Sequence, residues 1–427
     1  MASINSGDHI WHPFTQMKTA AAPIHITKAK GCILYDANGN EYIDAVSSWW
    51  VNIHGHSNEI IANAIAEQAK LLEHVIFAGF THSPAIKLSE QLIGILPNYF
   101  SKIFFSDDGS TSVEVAIKMA LQYWHNQGHQ HKTKIIAFEN AYHGDTFGAM
   151  SAGDKSTFNA AFEKLLFEVA HIPTPNANNI HLLKKQIDEL AKEDTVAAFI
   201  FEPLVQGSGG MLMHEAKYLD ELITYCHQKN IICIADEVMT GFGRTGKNFA
   251  IEYLTNQPDI ICLSKGITGG FLPLGVTVAS QKIFDAFYAD EKEKTFYHGH
   301  SYTANPLACA AANASLELLL NNKCQQQIKF IEEKHKAFAN SIRTNEAVKD
   351  VRQQGTIIAI EFKTKEDTSY FSSVRNKLYQ FYLSKGVLLR PLGNIVYILP
   401  PYCITEEELN KVYDAIIQST ELVKSEL

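Results

Sequence analysis

IICIADEVMTGFGRTGKNFAIEYLTNQPDIICLSKGI, residues 231–267, is the stretch that decides the fold. Its apolar start, 231–235, is short enough for a strand buried on both faces and leads directly to Asp236. After a Gly-rich loop, a second apolar run, 260–264, leads to Lys265. Ligands of open α/β sheets bind at the carboxyl ends of the strands. We therefore expect Asp236 and Lys265 to face one site.

A carboxylate and a lysine at neighbouring strand ends suit the chemistry of pyridoxal 5′-phosphate (PLP). The lysine forms a Schiff base with the cofactor's aldehyde, and the carboxylate keeps the pyridine nitrogen protonated. Each residue alone has an ordinary explanation, because Asp often caps a helix and Lys is common at a helix end. The combination favours the cofactor site. There, burial and a neighbouring cation should lower the pKa of Lys265.

The bulk properties narrow the class of protein. A chain of 427 residues is long for one core and predicts two lobes, and a net charge of −9 argues against a nucleic-acid surface. The seven cysteines are scattered without a CxxC motif, so most are expected to be small core residues in a reducing compartment. We find no signal-peptide pattern and no apolar run of membrane-spanning length, and expect a cytoplasmic protein.

The sequence pattern changes along the chain and predicts three parts. Residues 31–44 alternate around an Asn-Gly turn, which is typical of a hairpin, and residues 1–47 are assigned to the N-terminal part of a small domain. Strands and helices alternate throughout residues 100–280, which predicts a mainly parallel sheet flanked by helices, and residues 48–320 are assigned to this large α/β domain. Residues 321–427 mix helical and strand patterns and are assigned to a smaller α+β domain at the C-terminus.

Two further strand ends carry candidate ligand-binding residues. A strand at 103–106 is followed by the small-residue turn 107–112 and an amphipathic helix, a pattern typical of an anion-binding helix N-terminus. Ordinary helix capping explains the same residues equally well at this stage. A strand at 134–138 leads to Tyr142, whose ring is suited to stack on a flat cofactor.

Other residues have both a structural and a functional interpretation. Trp49 and Trp50 lie in a Gly/His-rich loop and belong either to the core or to the wall of an apolar substrate pocket. Glu202 ends an apolar strand and needs a partner, for which Arg244 is the expected one. The histidines form no HExxH or Cys/His pattern, so no metal is expected. Neither a Walker loop nor a G-x-S-x-G elbow occurs.

These segments together make the chain similar to the fold-type I, class III PLP-dependent aminotransferases over essentially its whole length. The resemblance implies a seven-stranded sheet in the large domain and a homodimer with active sites at the interface. The segments that carry it are Trp11–Thr15, Ser47–Trp50, Gly109–Ala116, Tyr142–Ser151, Glu202–Gly207, Asp236–Gly246, Ser264–Gly266, Asn305–Ala310 and Arg390–Pro391.

Within the family, the Trp-His-Pro start and the Trp-Trp pair resemble the branch that converts 8-amino-7-oxononanoate to 7,8-diaminononanoate in biotin biosynthesis. An ω-amino acid, ornithine or acetylornithine aminotransferase is the alternative within the family. A non-catalytic PLP-binding protein is disfavoured, because Asp236 and Lys265 are both present. The family often has Tyr in place of Phe14, and Pro-Thr in place of His300-Ser301. S-adenosylmethionine is the default amino donor of this branch. Because Phe14 removes a hydroxyl, and so a hydrogen-bond partner, from the donor site, lysine is the alternative donor.

The resemblance also implies roles for individual residues. Lys265 forms the Schiff base and shuttles a proton, Asp236 binds the pyridinium nitrogen, and Arg390 binds the substrate carboxylate in bidentate fashion. Arg244 and Glu202 form a charged pair near the donor site. The implied cofactor contacts are Gly109, Ser110, Tyr142, His143, Glu202, Asp236, Val238 and Lys265, with Ser301 from a second subunit. The implied substrate contacts are Phe14, Trp49, Trp50, Tyr142, Arg244, Gly299 and Arg390.

Overall fold

The computed structural model describes residues 9–365, 368, 372 and 374–424. Its strands are β1 (Ile26–Lys30), β2 (Ile33–Asp36), β3 (Glu41–Asp44), β4 (Phe100–Ser106), β5 (Lys134–Phe138), β6 (Val169–Ile172), β7 (Val196–Phe201), β8 (Val205–Gln206), β9 (Leu212–Met213), β10 (Ile232–Asp236), β11 (Ile260–Leu263), β12 (Gly275–Ser280), β13 (Val348–Gln354), β14 (Ile357–Phe362), β15 (Val387–Leu388) and β16 (Ile395–Ile398).

The helices alternate with these strands through the middle of the chain. They are the short turn α1 (Ser47–Trp50), α2 (Glu59–Leu71), α3 (Ser83–Ile95), α4 (Gly109–Asn126), α5 (Phe147–Ala152), α6 (Ile180–Ala191), α7 (Ala216–Gln228), α8 (Gln281–Asp285), α9 (Pro306–Leu320), α10 (Asn322–Ile342), α11 (Val374–Ser384) and α12 (Glu406–Lys424). Among the described residues, no helix combines the length and apolar character needed to cross a bilayer.

A seven-stranded sheet in the order β4-β12-β11-β10-β7-β5-β6 forms the centre of the large domain. Strands β6, β5, β7, β10 and β11 are mutually parallel, whereas β12 pairs antiparallel with both β11 and β4. The expected mainly parallel α/β sheet is thereby confirmed. Strands β7 and β10 are buried along their entire length, which accounts for their uninterrupted apolar sequences.

Alternate residues of the central strands supply two different cores. Ile232 and Ile234 of β10 pack on the face covered by α4, in a cluster with Val113 and Ala116. Cys233 belongs to the cluster on the opposite face, together with residues of α7 such as Leu222. Because successive side chains of a strand point to opposite faces, every position of such a strand must be apolar.

Two smaller sheets lie outside the central one, and the first of them contains strands from both ends of the chain. The N-terminal strands β1, β2 and β3 form a sheet that β15 completes, with Ile43 paired to Val387. Strands β13, β14 and β16 form a separate antiparallel sheet. Strand β3 thus pairs with a strand from residues 321–427, and the assignment of residues 1–47 to the small domain, with boundaries at 47 and 320, stays a prediction.

Candidate active site

A cavity of about 530 Å3 lies at the carboxyl ends of the parallel strands. Its lining comes from segments that immediately follow β4, β5, β7, β10 and β11, and from the wall around Trp49 and Trp50. Asp236, the last residue of β10, and Lys265, just beyond the adjacent strand β11, both line it. The crevice beyond the strand ends, where the sequence places ligand binding, therefore contains a cavity that both predicted residues line.

The carboxylate of Asp236 is held from two sides. Its Oδ2 accepts a 2.7 Å hydrogen bond from Nδ1 of His143, and its Oδ1 accepts a 3.0 Å bond from the backbone N–H of Val238. Both side chains are buried, with Asp236 only 5% exposed. Because an ionised carboxylate accepts but does not donate, the shared proton lies on Nδ1 of His143. These bonds fix the orientation of Asp236 toward the cavity.

Lys265 follows β11 in a left-handed conformation, with φ of +42°. This region is unfavourable for a residue with a β-carbon and is typical of functional sites. Its Nζ lies 4.7 Å from the ring centroid of Trp50. Burial lowers the pKa of the Lys265 amine, and the Arg244 cation adds to this effect, whereas the carboxylates of Asp236 and Glu202 oppose it.

The turn after β4 forms a tight cradle at the start of α4. Asp108 caps the helix, its Oδ1 accepting a 2.8 Å bond from the N–H of Thr111. A β-carbon at Gly109 would lie 2.7 Å from Cγ1 of Val238, so only glycine fits there without displacement. The Ser110 hydroxyl oxygen accepts a 3.1 Å bond from the N–H of Asp145. The backbone N–H groups of Gly109 and Ser110, at the start of the helix, make this cradle suitable for an anion.

Tyr142 and Glu202 lie on the same side of the cavity. Glu202 is buried and accepts backbone hydrogen bonds from the N–H of Tyr142 at 3.2 Å and of Gly207 at 2.9 Å. Burial raises the pKa of Glu202 to about 7. Burial likewise raises the pKa of the Tyr142 phenol, and the neighbouring Asp145 carboxylate adds to the shift.

The expected ion pair between Arg244 and Glu202 is wrong. The Arg244 guanidinium, 1% exposed, donates instead to the carbonyl oxygens of Pro400 at 2.8 Å and Trp50 at 3.1 Å, and packs against the Tyr402 ring. Glu202 is occupied by backbone N–H groups. Arg244 does not line the cavity, and it holds the backbone behind Trp50.

The two tryptophans play different structural parts. Trp50 is 4% exposed and donates from Nε1 to the Tyr397 hydroxyl at 3.0 Å, so it belongs largely to the core behind Lys265. Trp49 is 39% exposed, contacts the Phe14 ring edge-on at 5.5 Å, and has the Arg390 guanidinium 4.4 Å above its ring. The aromatic wall next to a cation is therefore formed mainly by Trp49.

Asp44 fixes the tight backbone that carries these tryptophans. Its carboxylate accepts from the N–H groups of Val46 at 3.2 Å and Ser48 at 2.7 Å, and contacts His56 Nε2 at 2.8 Å. The chain from Ser47 to Trp50 includes three residues with positive φ. Such a conformation persists only where surrounding contacts determine it.

Several lining residues were not expected from the sequence. Asp145 lies within the segment Tyr142–Ser151 singled out above and Asn140 just before it, so only their proximity to Tyr142 signals them. Lys155 and Phe158 come from an irregular segment without periodicity, and Tyr397 comes from β16 at the far end of the chain. No local sequence pattern would have indicated those three.

Gly299 and Ser301 do not line the cavity of the single chain. Ser301 is expected to act from a second subunit, so this placement neither supports nor contradicts its role. Both assignments stay predictions.

Two groups of potential metal ligands occur in the described part of the chain, at His129/His131/Asp194 and His227/Cys233/Asp259. Asp194 already pairs with Lys132 at 2.5 Å, and Asp259 with Lys282 at 3.1 Å. Ion pairing therefore accounts for both carboxylates.

The fold and the site define a fold-type I PLP-dependent transferase. The aminotransferase class-III family matches residues 15–419, and the chain belongs to that family.

Individual relatives and solved structures match nearly the whole chain. An adenosylmethionine-8-amino-7-oxononanoate aminotransferase of Synechococcus elongatus is 50% identical, covering 96% of this chain and 98% of the relative. The crystal structure of the enzyme of that name from Methanocaldococcus jannaschii has 37% identity, a TM-score of 0.92 and 97% coverage of both chains. A PLP-bound amine transaminase from an uncultivated Pseudomonas species has 30% identity, a TM-score of 0.91, and coverage of 98% of this chain and 100% of that one.

Proposed function

We propose that the protein is a PLP-dependent aminotransferase that converts 8-amino-7-oxononanoate to 7,8-diaminononanoate in biotin biosynthesis. The observation that carries this proposal is one cavity that joins Lys265 and Asp236 to the Trp49–Arg390 pair. The first pair suits the cofactor and the second suits an aliphatic chain ending in a carboxylate. Relatives at 37–50% identity that carry the 8-amino-7-oxononanoate name support the substrate, and another class III activity is not favoured.

The residues around the strand ends fit PLP. The glycine-only cradle at Gly109 and the start of α4 would hold its phosphate, and the oriented Asp236 carboxylate would bind its ring nitrogen. Tyr142 and Val238 would contact the two ring faces. When bound, PLP supplies an aldehyde that exchanges amines and a ring that accepts electrons.

Lys265 is the proton carrier of this site. Because burial lowers the pKa of its amine, a larger fraction is neutral near pH 7 than for an exposed lysine, and the neutral Nζ accepts a proton from the substrate carbon. The Trp50 ring, 4.7 Å away, covers the amine and limits access of water. The Lys265 Nζ gives this proton up again within the same half-reaction, so the amine is neutral when the next half-reaction begins.

The far wall of the cavity accounts for substrate recognition. The Arg390 guanidinium would bind the substrate carboxylate through two parallel hydrogen bonds, and the exposed face of Trp49 would pack on the aliphatic chain. Phe14 closes the aromatic wall and brings no hydroxyl to the donor pocket. The names of the relatives support S-adenosylmethionine as donor, with lysine as the second candidate.

A direct assay separates these possibilities. Purified holoenzyme should show a visible absorption band that Lys265→Ala abolishes, and it should aminate 8-amino-7-oxononanoate in preference to pyruvate or 2-oxoglutarate. Donors are distinguished by offering S-adenosylmethionine and lysine separately and following loss of the band. A wild type without the band, or one that uses only the two oxoacids, would overturn the proposal.

We place the active enzyme in the cytoplasm as a homodimer, with Gly299 and Ser301 completing the site of the other subunit. Mixing Lys265→Ala chains with Ser301→Ala chains tests this arrangement. If each site combines Lys265 of one subunit with Ser301 of the other, a heterodimer of the two variants carries both substitutions in one site. Its second site is then intact, so we expect mixing to recover activity. If the mixture is no more active than the separate variants after subunit exchange, each site is formed by residues of one subunit alone.

A further inference from the structure

Two cysteine sulfurs from opposite ends of the chain lie in contact outside the cavity. Sγ of Cys32 is 3.6 Å from Sγ of Cys403, although 371 positions separate the two residues. Cys32 lies just before β2 and is 2% exposed, whereas Cys403 lies between β16 and α12 and is exposed to solvent. The contact therefore joins the sheet of β1, β2, β3 and β15 to the segment that follows β16, the last strand of the β13-β14-β16 sheet.

The backbone around both sulfurs is fixed by long-range hydrogen bonds. The carbonyl oxygen of Cys32 accepts a 2.7 Å bond from the N–H of Asp44, and Tyr402 donates from its N–H to Ile53 at 2.8 Å. The Tyr402 hydroxyl also donates to the Phe242 carbonyl oxygen at 2.7 Å. The contact between the sulfurs is therefore built into the fold, rather than being one rotamer of a mobile surface residue.

The two thiols differ in the way that thiol–disulfide exchange requires. The hydrogen bond between the two sulfurs lowers the pKa of the Cys403 thiol and raises the pKa of the Cys32 thiol. The thiolate is the attacking species in such exchange, and attack also requires access. Cys403 is thus the attacking thiol, since it is the exposed one, and Cys32 is placed to resolve the product.

We propose that Cys32 and Cys403 form a reversible disulfide, with a small-molecule disulfide such as oxidised glutathione as the oxidant. The Cys403 thiolate attacks one sulfur of the oxidant, which forms a mixed disulfide and releases one thiolate. Cys32 then displaces the second thiolate and gives up its proton. The chain is oxidised by two electrons, and the oxidant leaves as two thiols. The sulfurs must approach by roughly 1.5 Å to reach the length of a disulfide.

This disulfide would link two segments that support the aromatic wall. Cys32 is bonded through its carbonyl to Asp44, which fixes the turn of Trp49 and Trp50. Cys403 follows Pro400, whose carbonyl oxygen accepts from Arg244. Oxidation therefore adds a covalent restraint behind the substrate side of the cavity without using any residue that lines it.

Cys324 is the rival partner for Cys403. It is half-buried, and its pKa is raised by burial and, to a smaller extent, by the charge of Cys403 nearby. The remaining four cysteines are buried and out of reach of a glutathione-sized oxidant.

The test is oxidation of the full-length holoenzyme with oxidised glutathione, followed by thiol counting after unfolding without reductant. We expect the count to fall from seven to five per chain, a peptide cross-linked through Cys32 and Cys403 in the mass spectrum, and full reversal by dithiothreitol. A stable glutathione adduct on wild-type Cys403, a link to Cys324, or no loss of thiols would each overturn the proposal.

Variants separate the roles of the two cysteines. Cys403→Ser, at an exposed position, is expected to fold and to lose no thiol under the same treatment. Cys32→Ser should stop at the glutathione adduct on Cys403, because the resolving thiol is gone. Cys324→Ser is the matched control and should form the cross-link as the wild type does. Cross-linking that survives in Cys403→Ser, or is lost in Cys324→Ser, would contradict the assignment.

Discussion

Nδ1 of His143 donates a 2.7 Å hydrogen bond to Oδ2 of Asp236, and both side chains are buried. A hydrogen bond to a buried charge contributes about 1.5–3 kcal/mol, and here it keeps the carboxylate aimed at the cavity. The pair thus connects β5, through the segment that follows it, to the end of β10.

His143→Leu should weaken PLP binding by roughly 10- to 100-fold, the equivalent of losing that hydrogen bond. His143→Asn should recover part of the affinity, because its amide places a donor near the position of Nδ1. Titration of the apoenzyme with PLP, followed by absorbance, measures both values. Equal losses in the two variants would mean that packing, and not the hydrogen bond, holds Asp236.

Gly109→Ala should weaken PLP binding because its β-carbon would lie 2.7 Å from Cγ1 of Val238 and force the cradle to shift. Val238→Ala removes the obstructing methyl groups, so the double variant should bind PLP more tightly than Gly109→Ala alone. Gly94→Ala, within α3 and with open space around it, is the matched control and should leave affinity unchanged. Additive losses in the double variant would argue against steric obstruction.

Arg390→Lys should raise KM for 8-amino-7-oxononanoate by about 10- to 100-fold, with a smaller effect on kcat. Lysine cannot reproduce a bidentate guanidinium–carboxylate contact, nor the contact of the guanidinium carbon 4.4 Å from the Trp49 ring centroid. Steady-state kinetics with a saturating donor provide the measurement. Arg343→Lys, whose guanidinium donates to the Val351 carbonyl oxygen outside the cavity, serves as the control. An unchanged KM would remove Arg390 from the carboxylate site.

The stability of the protein should depend on His335 in mild acid. Burial lowers the pKa of His335 to about 3, and its ring contacts the Tyr413 hydroxyl at 2.7 Å and the Thr356 carbonyl oxygen at 3.1 Å. In the unfolded chain the pKa of this histidine is about 6.5. The unfolded state therefore binds more protons than the folded state between about pH 6.5 and 3. Stability contributed by the neutral ring is present above this window and is lost as the pH falls through it.

His335→Gln should accordingly lower stability near pH 7, where its contacts are lost, yet flatten the decline of the denaturation midpoint between pH 7 and 4. Urea unfolding at several pH values measures the slope. An exposed substitution, His25→Gln, should keep the wild-type slope. A His335→Gln variant with an unchanged slope would show that other groups govern the acid response.

The sequence predicts the sheet and the Asp236–Lys265 pair because both follow from local pattern. Apolar runs of strand length mark the central strands, and parallel strands bring their carboxyl ends to one edge. The sequence does not predict the direction in which a long side chain points. Arg244 is close to the site in sequence, yet its guanidinium turns to the carbonyl oxygens of Trp50 and Pro400, and the latter comes from the opposite end of the chain.

The sequence likewise gives no indication of the residues that long-range packing brings to the cavity. Tyr397 reaches the cavity because β16 packs beside the N-terminal turn, and Phe158 because an irregular segment folds over Phe14. Neither has a periodic or motif signal that could place it there. Local pattern therefore indicates the chemistry of the site, while its shape depends on the complete tertiary structure.

The hydrogen bond from Trp50 to Tyr397 joins residues separated by 347 positions, and the N-terminal strands find their last partner only in β15. During synthesis, the first strands lack that partner until residues 387–388 have left the ribosome. Closing so long a loop is slow and leaves an unpaired strand edge exposed to neighbouring nascent chains. Loss of the final strands, even with the reactive lysine intact, should therefore produce an aggregating polypeptide rather than a weak enzyme.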